Sequence, residues 1–333
     1  MLRLIGFLLI VASFSIGWCW MAFEQAVDRI LVKDTAVIFE VQPGDSLGRI
    51  SERLRERKIM SSPIWFKILV ISKGQSNHLK AGEYKLQPGV TARHLLDLIV
   101  TGRVQQYSLT LVEGWTFRQM LAEVCRNPAI VVTVCEKNSQ AIMNALGPTK
   151  VHPEGRFFPD TYFLIKGTSD VAFLQRARRA MDKVLAEEWQ NKADELPLKS
   201  SYEALILASI IEKETGRSAE RGMIAGVFTR RLNLGMLLQT DPTVIYGMGE
   251  RFDGNIRSKD LTEDTPYNTY VHAGLPPTPI AMPGAASIHA ALHPEEGSSL
   301  YFVARGDGGH IFSSSLSAHN RAVNQYQRRK KGK

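Results

Sequence analysis

The chain has 333 residues, more than one hydrophobic core usually absorbs, so we expect two or three folding units. Apolar residues make up 44% of the chain and charged residues 22%, which excludes a disordered or fibrous protein, and three cysteines are too few for a disulfide-dense scaffold. The net charge is +8, but five of the excess charges lie within residues 328–333, which predicts a solvated basic tail and no nucleic-acid partner.

The N-terminus contains one candidate membrane span. Residues 4–23 (LIGFLLIVASFSIGWCWMAF) carry no charge, and about twenty helical residues are enough to cross the hydrocarbon core of a bilayer. A cleaved signal peptide needs small residues near its cleavage site, where this chain has Trp18, Trp20 and Phe23. Tryptophans instead suit a membrane interface. We therefore predict a cytoplasmic N-terminus, a transmembrane helix and a linker within residues 1–34.

The charges that flank the span predict its orientation. Arg3 precedes the span, whereas Glu24 and Asp28 follow it, so the positive-inside rule places the N-terminus in the cytoplasm. The rest of the chain would lie in the periplasm, tethered to the inner membrane of a bacterium, because no later segment is long and apolar enough to return. In that oxidising compartment Cys125 and Cys135 either form a disulfide or remain two buried thiols, and both alternatives stay open.

Residues 35–126 repeat one pattern: a strand-like alternation, a glycine turn, a hydroxyl residue and an amphipathic run. The hydroxyl residues Ser46, Thr91 and Thr116 stand where helix N-caps belong, and Gln119 completes a capping box with Thr116. We predict a small α+β region built of β-turn-α units. Its first copy, PGDSLGRISERL, resembles a LysM module, which implies binding to glycan chains that contain N-acetylglucosamine. The pattern is also a common supersecondary unit, so a purely structural region is the alternative.

Residues 127–200 form a predicted connecting segment. It contains the aromatic stretch EGRFFPDTYFLIKGTS and a helical run from Val171 to Asn191. Pro153 and Pro159 restrict the local backbone beside a large apolar surface. That surface predicts either a wall on which sugars stack or a hinge that packs on the next segment, and packing is the more common role of such residues.

Residues 201–327 form the predicted catalytic domain, because long loops rich in Gly, Pro and Asn follow its opening helices. In the predicted helix SYEALILASIIEKET, Glu214 projects from an apolar stripe, whereas Glu212 lies nearer the flank. Desolvation on that stripe would raise the pKa of Glu214, as a general acid near neutral pH requires. The residues of the stripe are Leu207, Ile210 and Ile211.

A structural role for Glu214 is the alternative. Charged residues near helix ends commonly form ion pairs, and Lys213, Arg217 and Arg221 are close to Glu214 in the sequence. Composition alone favours the structural role, whereas the motifs around Glu214 favour a catalytic role.

Five long motifs around Glu214 resemble the catalytic domain of the YceG-like (MltG-type) endolytic murein transglycosylases: ASIIEKET, LLQTDPTVIYGMG, TPYNTY, GLPPTPIAMPG and LYFVARGDGGHIFSSSLSAHN. The resemblance extends from the membrane span through EGRFFPDTY to the C-terminal HN. It implies an inner-membrane lyase that cleaves the MurNAc–GlcNAc bond of nascent glycan strands without hydrolysis and leaves 1,6-anhydro-MurNAc ends. It places the catalytic carboxylate in the EKE triplet, with Glu214 preferred and Glu212 as the alternative.

Polar and aromatic loop residues are the candidate substrate-binding groups. Amide, hydroxyl and carboxylate groups can hydrogen-bond sugar hydroxyls and N-acetyl groups, and tyrosine rings can stack on sugar faces. For each residue singly, a turn or core role is more common. The candidates are Gln239, Thr240, Asp241, Tyr246, Tyr267, Asn268 and Tyr270.

The histidines near the C-terminus predict no cofactor site. His310 and His319 have no standard metal spacing, and GDGGH is a tight turn rather than a nucleotide-binding loop. We therefore predict no metal, no nucleotide and no other cofactor.

These features predict an α+β chain with an N-terminal transmembrane helix, a small LysM-like α+β domain and a mixed α/β catalytic domain with long ordered loops. The predicted function is that of a membrane-anchored lytic transglycosylase. A hydrolytic muramidase that uses Glu214 with Asp241, and a non-catalytic peptidoglycan-binding scaffold, are the alternatives. The expected partners are peptidoglycan glycan strands, the inner membrane and, as the family implies, a peptidoglycan synthase.

Overall fold

The computed structural model describes residues 2–147 and 151–328. The chain divides into two compact units, and helices and strands occur along both, which confirms the predicted mixed fold. The first unit comprises Met1–Tyr107 and Phe163–Gly167, and the second comprises Ser108–Tyr162 and Thr168–Lys333.

The division into two units does not test the predicted domain limits, which stay predictions at 35–126, 127–200 and 201–327. Residues 329–333 of the predicted basic tail lie outside the described residues.

The first unit begins with helix α1 (Leu2–Val27). Among the described residues it is the one helix long and apolar enough to cross a membrane, judged by length and composition. Its large apolar side chains, from Leu4 to Met21, are exposed to the surroundings rather than packed in a protein core. The predicted apolar N-terminal helix is therefore confirmed, and its orientation stays a prediction.

The body of the first unit packs helices on a two-stranded antiparallel sheet. Its elements are β1 (Val37–Val41), α2 (Leu47–Glu56), α3 (Ile64–Ser72), β2 (Gly82–Leu86) and α4 (Ala92–Thr101). Strand β1 pairs with β2 so that Phe39 lies opposite Tyr84, and both side chains are fully buried. Helices α2, α3 and α4 contribute the rest of this core.

The middle of the chain alternates short strands with helices. The elements are β3 (Tyr107–Thr110), α5 (Phe117–Arg126), β4 (Ile130–Val131), α6 (Ser139–Ala145), β5 (Thr161–Leu164), β6 (Thr168–Ser169) and α7 (Asp170–Gln190). Strand β3 pairs with β5, and β4 runs parallel to β6. The predicted helical run of the connecting segment, Val171 to Asn191, corresponds to α7 and is confirmed.

The repeated hydroxyl residues cap helices, as predicted. The side chains of Ser46, Thr91 and Thr116 each accept a hydrogen bond from the backbone three residues on, at the start of α2, α4 and α5. The side-chain oxygen of Gln119 accepts a hydrogen bond from the Thr116 N–H at 2.9 Å, which completes the predicted capping box. Each cap satisfies a backbone donor that the first helical turn leaves unpaired. The β-turn-α repeat is therefore confirmed.

The aromatic stretch of the connecting segment packs into the protein. Phe157 is fully buried and stacks on Phe117 with 5.5 Å between ring centroids. Tyr162 is also buried, and its ring edge meets Phe173 at 5.3 Å. These two rings therefore belong to the protein core, whereas Phe163 of the same stretch is exposed, and the choice between a hinge and a sugar-stacking wall stays a prediction.

A disulfide joins Cys125 at the end of α5 to Cys135, with 5.9 Å between the two Cα atoms. Cys19, in α1, is the free cysteine. Of the two alternatives that the sequence left open, the structure contains the bonded pair.

The C-terminal part of the second unit is mainly helical and ends in a β-hairpin and a short helix. Its elements are α8 (Ser201–Glu214), a 3₁₀ turn (Ser218–Glu220), α9 (Arg221–Asn233), α10 (Asp241–Met248), a second 3₁₀ turn (Gly249–Arg251), α11 (Ser258–Thr262), α12 (Ala285–Leu292), β7 (Tyr301–Ala304), β8 (His310–Ser313), α13 (Leu316–Val323) and a π-helical turn (Asn324–Arg328). The loop between α11 and α12 is long, and Asn268, Ile280 and Met282 within it are buried. Burial explains why so long a loop is ordered, as predicted.

Candidate active site

Helix α8 is central to this part of the second unit. It packs against α7, α9, α10 and α12, and every residue from Ala204 to Ile211 is buried. The predicted apolar stripe is therefore part of a helix that is buried on all sides. Glu214 owes its burial to its place at the end of a central helix rather than to one apolar face.

Glu214 is the last residue of α8 and lines a cavity of about 430 Å³. Its Oε1 accepts a hydrogen bond from the hydroxyl of Thr240. Among the described residues it forms no ion pair, so the carboxyl group meets the cavity with one hydroxyl as its hydrogen-bond partner.

The three cations that a structural role for Glu214 would require bond elsewhere. Lys213 Nζ donates to the carbonyl of Gly114 at 3.2 Å, and Arg217 donates to the carbonyl of Asp307. Arg221 lies 3.6 Å from Glu212. An ion pair at the helix end therefore does not explain Glu214.

The pKa of Glu214 is raised to about 7, and burial is the main cause. The Thr240 hydrogen bond opposes the shift because it stabilises the ionised form, and the negative charge of Asp241 adds to the shift. Electrostatic interactions with Arg231 and with the His310 side chain oppose it. A large fraction of the carboxyl groups is therefore protonated at neutral pH, which is the state that a general acid needs.

Glu212 has a different environment two residues earlier. Its Oε2 accepts from the Gly284 N–H at 3.0 Å and from the Ser287 hydroxyl at 2.7 Å, both at the start of α12. Its side chain is only 7% exposed and faces Arg221. These hydrogen bonds tie α8 to α12, and together with the charge of Arg221 they stabilise the ionised form of Glu212 rather than a proton donor.

The predicted polar turn lies at the cavity. Gln239 is exposed there and adopts a φ of 50°, a left-handed conformation that costs a residue with a Cβ about 1 kcal/mol. Its N–H donates to the carbonyl of Thr269 at 3.0 Å, which holds the turn. Thr240 is the buried N-cap residue of α10, and Asp241 begins that helix, where the helix dipole favours a negative charge.

The three predicted tyrosines fall in two places. Tyr270 lines the cavity, and its hydroxyl donates to Asp241 Oδ1 at 2.6 Å. Tyr246 and Tyr267 instead pack edge to face in the interior, with 4.8 Å between ring centroids. The Tyr246 hydroxyl donates to the buried carboxyl group of Glu154 at 3.0 Å.

Asn268 organises the loop that carries Tyr270. Its buried amide donates to three backbone carbonyls, and its side-chain oxygen accepts from the Tyr270 N–H at 2.9 Å. The carbonyls belong to Asp260, Leu261 and Glu263. The direct sugar contacts expected of Asn268, Tyr246 and Tyr267 stay predictions, as do those of the residues at the cavity.

The remaining cavity wall contains residues that the sequence reasoning did not select. The Arg231 guanidinium lies 5.2 Å from the ring centroid of Tyr301, and His319 stacks on the same ring at 5.3 Å. His310 also lines the cavity, and its Nδ1 lies 2.7 Å from Glu220 Oε2. A histidine directly after the GDGG turn was the one local signal among them, since an imidazole ring can donate or accept a hydrogen bond at a site.

One cluster of potential metal ligands occurs in the described parts of the chain. The ligand atoms of Glu188, His289 and His293 lie within 4.8 Å of one another. The two imidazole rings stack, however, at 4.2 Å and 19°, so their planes do not converge on one ion. The predicted absence of a metal stays a prediction.

The chain belongs to the YceG-like family, whose family model matches residues 39–325. The resemblance inferred from the motifs is thereby confirmed.

Named relatives are similar to this chain over most of its length. The endolytic murein transglycosylase of Bacillus subtilis strain 168 is 32% identical over 314 residues, which span 88% of this chain and 85% of the relative. The protein of the same name from Streptococcus pneumoniae strain D39 is 27% identical over 362 residues, 97% of this chain and 64% of that protein. The crystal structure of a yceG-like protein from Listeria monocytogenes superposes with a TM-score of 0.54 at 30% identity, covering 86% of this chain and 98% of the other.

The raised pKa of Glu214 predicts a pH-dependent stability. In the folded chain Glu214 keeps its proton up to about pH 7, whereas in the unfolded chain it loses the proton near the ordinary pKa of 4.5. The free energy of unfolding therefore falls as pH rises from 4.5 to about 7. We expect the free energy of unfolding of Glu214→Gln to exceed that of the wild type by about 3 kcal/mol at pH 8 and to be nearly equal to it at about pH 4.

Urea unfolding at several pH values measures this difference. Glu296→Gln, at an exposed glutamate, is the matched control and should follow the wild type throughout. Equal stability of Glu214→Gln and the wild type at pH 8 would contradict the raised pKa.

Proposed function

We propose that the protein is a membrane-anchored endolytic lytic transglycosylase of peptidoglycan. It cleaves the MurNAc–GlcNAc bond of nascent glycan strands and leaves 1,6-anhydro-MurNAc ends. The observation that carries this proposal is Glu214, a carboxyl group with a pKa of about 7 at the wall of a cavity. The names of the B. subtilis and S. pneumoniae relatives support the same activity.

Glu214 acts first as the general acid. A glycosidic oxygen is a poor leaving group until it is protonated, so a neutral carboxylic acid must donate its proton to that oxygen as the bond to C1 breaks. The C6 hydroxyl of the same muramoyl residue then attacks C1, and the ionised Glu214 accepts the hydroxyl proton. The attack is intramolecular, so it benefits from a high effective molarity. No water enters the product.

Other cavity residues hold the substrate. Gln239, Asp241 and Tyr270 line the cavity and present amide, carboxylate and phenol groups to sugar hydroxyls and N-acetyl groups. Thr240 contributes through its hydrogen bond to Glu214, and Asn268 through the loop that positions Tyr270.

His310 and Glu220 form a second polar pair at the cavity. Burial alone would raise the pKa of Glu220, but the hydrogen bonds from His310 outweigh burial and lower it, so Glu220 is ionised at neutral pH. An ionised carboxylate holds the Nδ1 proton of His310 and leaves Nε2 as the ring nitrogen available to a ligand. We assign Nε2 to a sugar hydroxyl or N-acetyl group next to Glu214.

Hydrolysis is the competing reaction, because Asp241 lines the same cavity as Glu214. A hydrolytic muramidase would use Asp241 as nucleophile or as base toward water. The Tyr270 hydroxyl, which donates to Asp241, favours a role for this carboxylate in binding instead. A non-catalytic scaffold is the third possibility, and it requires no proton donor.

The first unit contributes glycan binding in this proposal, as a LysM-like region. The LysM-like sequence PGDSLGRISERL covers the turn after β1 and most of α2, and the pairing of β1 with β2 closes this segment into one unit with α2 and α3 between the strands. A closed module of this kind can hold a glycan strand independently of the cleavage site.

The cellular location follows from α1. We place the N-terminus in the cytoplasm, and the body of the first unit after α1 and the second unit on the periplasmic side of the inner membrane, because Arg3 precedes the span and Glu24 and Asp28 follow it. The disulfide between Cys125 and Cys135 supports an oxidising compartment. A glycan-cleaving enzyme anchored in the inner membrane would act beside a peptidoglycan synthase.

Product analysis tests the reaction. The full chain in detergent is incubated with purified glycan strands in ¹⁸O-labelled water, and the ends are identified by mass spectrometry. We expect anhydro ends without ¹⁸O. Reducing ends that contain ¹⁸O would show that the protein is a hydrolytic muramidase instead. The absence of any cleavage would favour the non-catalytic scaffold.

The same assay separates the two glutamates. Glu214→Gln should lower the rate about a thousandfold and leave the fold intact, because it removes the proton donor but keeps the shape. Glu212→Gln should instead lower the free energy of unfolding by about 1–3 kcal/mol, since it leaves Arg221 partly unpaired, and keep most of the activity of the folded molecules. The reverse result would place the acid at Glu212.

Substitution of His310 tests the second polar pair. His310→Asn keeps a donor for Glu220 but removes Nε2, so we expect a loss of about 10- to 100-fold in kcat/KM with little change in stability. His310→Gln is the matched variant, because it keeps a group at Nε2 and gives up the Glu220 contact. Wild-type kcat/KM in His310→Asn would remove His310 from the substrate site.

A further inference from the structure

Helix α3 exposes an apolar face. Ile64, Ile68 and Ile71 follow one another at helical spacing and are 52%, 40% and 63% exposed. The opposite face packs into the core of the first unit, where Phe66 and Leu69 are buried. Large apolar groups along one face of a short helix indicate a surface that something other than water covers.

The position of α3 beside α1 indicates what covers it. The two helices are in contact and line a common cavity of about 750 Å³, to which α1 contributes Ile16, Cys19 and Trp20 and α3 contributes Trp65 and Ile68. These α1 residues belong to the second half of the predicted span, residues 4–23. When α1 crosses a bilayer, α3 therefore lies at the depth where the span leaves the hydrocarbon.

Aromatic rings connect the span to α3. Trp20 lies 6.2 Å from Phe23, and Phe23 lies 6.1 Å from Trp65, measured between ring centroids. Tryptophan is enriched at the boundary between lipid and water because its ring is apolar and its N–H is polar. The chain of rings thus marks the interfacial layer and places α3 within it.

Charged residues mark where water begins. Arg93 forms ion pairs with Glu24 and with Asp28, just beyond the end of the span. Lys73 follows α3 and is also exposed at the common cavity. Cations at this level can meet lipid phosphates.

The connection from α1 to the body of the first unit is fixed. Val27 and Val32 are buried in the core of that unit, and the Leu31 N–H donates to the Val90 carbonyl at 2.8 Å. The helix therefore cannot swing freely on a linker, and α3 keeps its place beside it.

We propose that α3 is a second membrane contact of this chain, in which the face of Ile64, Ile68 and Ile71 lies in the interfacial layer of the bilayer's periplasmic leaflet. The proposal rests on the anchoring of α1 in the proposed function. It adds that the first unit docks on the lipid surface rather than standing away from it. A helix whose exposed face is apolar would, at this position, hold the unit at one distance and tilt above the membrane.

Depth measurements on spin labels test this contact in the full chain. The Cys19→Ser protein is reconstituted into vesicles of phosphatidylethanolamine and phosphatidylglycerol, with a nitroxide on Ile68→Cys or Ile71→Cys. Leu9→Cys, within the span, is the lipid control, and Glu56→Cys, exposed at the end of α2, is the water control. Accessibility to oxygen and to a water-soluble nickel chelate is measured at each position without reductant, so the disulfide stays closed.

We expect the ratio of oxygen to nickel accessibility at positions 68 and 71 to be several-fold higher than at position 56. Values equal to those at position 56, with position 9 in lipid, would overturn the docking of α3 and leave the anchor intact. Low accessibility to both reagents would mean that a protein, such as a second copy of this chain, covers the face, and would also overturn the proposal. A position 9 exposed to water would overturn the anchor itself and this proposal with it.

Discussion

The burial of one carboxyl group at the end of α8 is the constraint on which the site depends. Ionising Glu214 in this position is unfavourable, so its pKa moves to about 7. The hydrogen bond from the Thr240 hydroxyl reduces this rise in pKa but does not cancel it. The surrounding helices must supply the folding energy that this placement costs, and α8 is accordingly buried from Ala204 to Ile211. The same raised pKa that would suit a proton donor therefore lowers the free energy of unfolding at high pH.

Two glutamates of the EKE triplet, Glu212 and Glu214, lie in different environments. On a helix, residues two positions apart point in widely different directions, so Glu212 and Glu214 meet different neighbours. Glu212 binds the start of α12 and faces Arg221, whereas Glu214 reaches the cavity. The first carboxylate fixes α12 against α8, which keeps the second in place. A general acid needs such a rigid support, because its proton must meet the leaving oxygen at hydrogen-bond distance.

Local chemistry explains what the sequence could predict. The caps at Ser46, Thr91 and Thr116 depend on neighbours three residues away, and the membrane helix depends on one uninterrupted apolar run. The position of Glu214 followed from helical spacing and from the family resemblance, although the reason for its burial differs from the one expected. The mixed fold class and the part of the chain that forms the cavity therefore follow from patterns in the amino-acid sequence.

Long-range packing determines the rest. Glu220 meets His310 across 90 residues of sequence, and Arg231 meets Tyr301 across a similar separation, so no local pattern shows that these residues share a cavity wall. The same holds for Tyr246, whose hydroxyl reaches Glu154 in the interior rather than lining the cavity. A tyrosine in a motif can serve either place, and only the three-dimensional arrangement of the helices decides between them.

The protonation state of Glu214 is the most direct test of this account. Carboxyl carbons of glutamate are labelled with ¹³C, and the resonance that is absent from Glu214→Gln is followed by NMR as pH is varied. We expect this resonance to titrate near pH 7, as burial requires. A titration near 4.5, the ordinary value for glutamate, would mean that Glu214 is ionised at neutral pH and cannot be the proton donor.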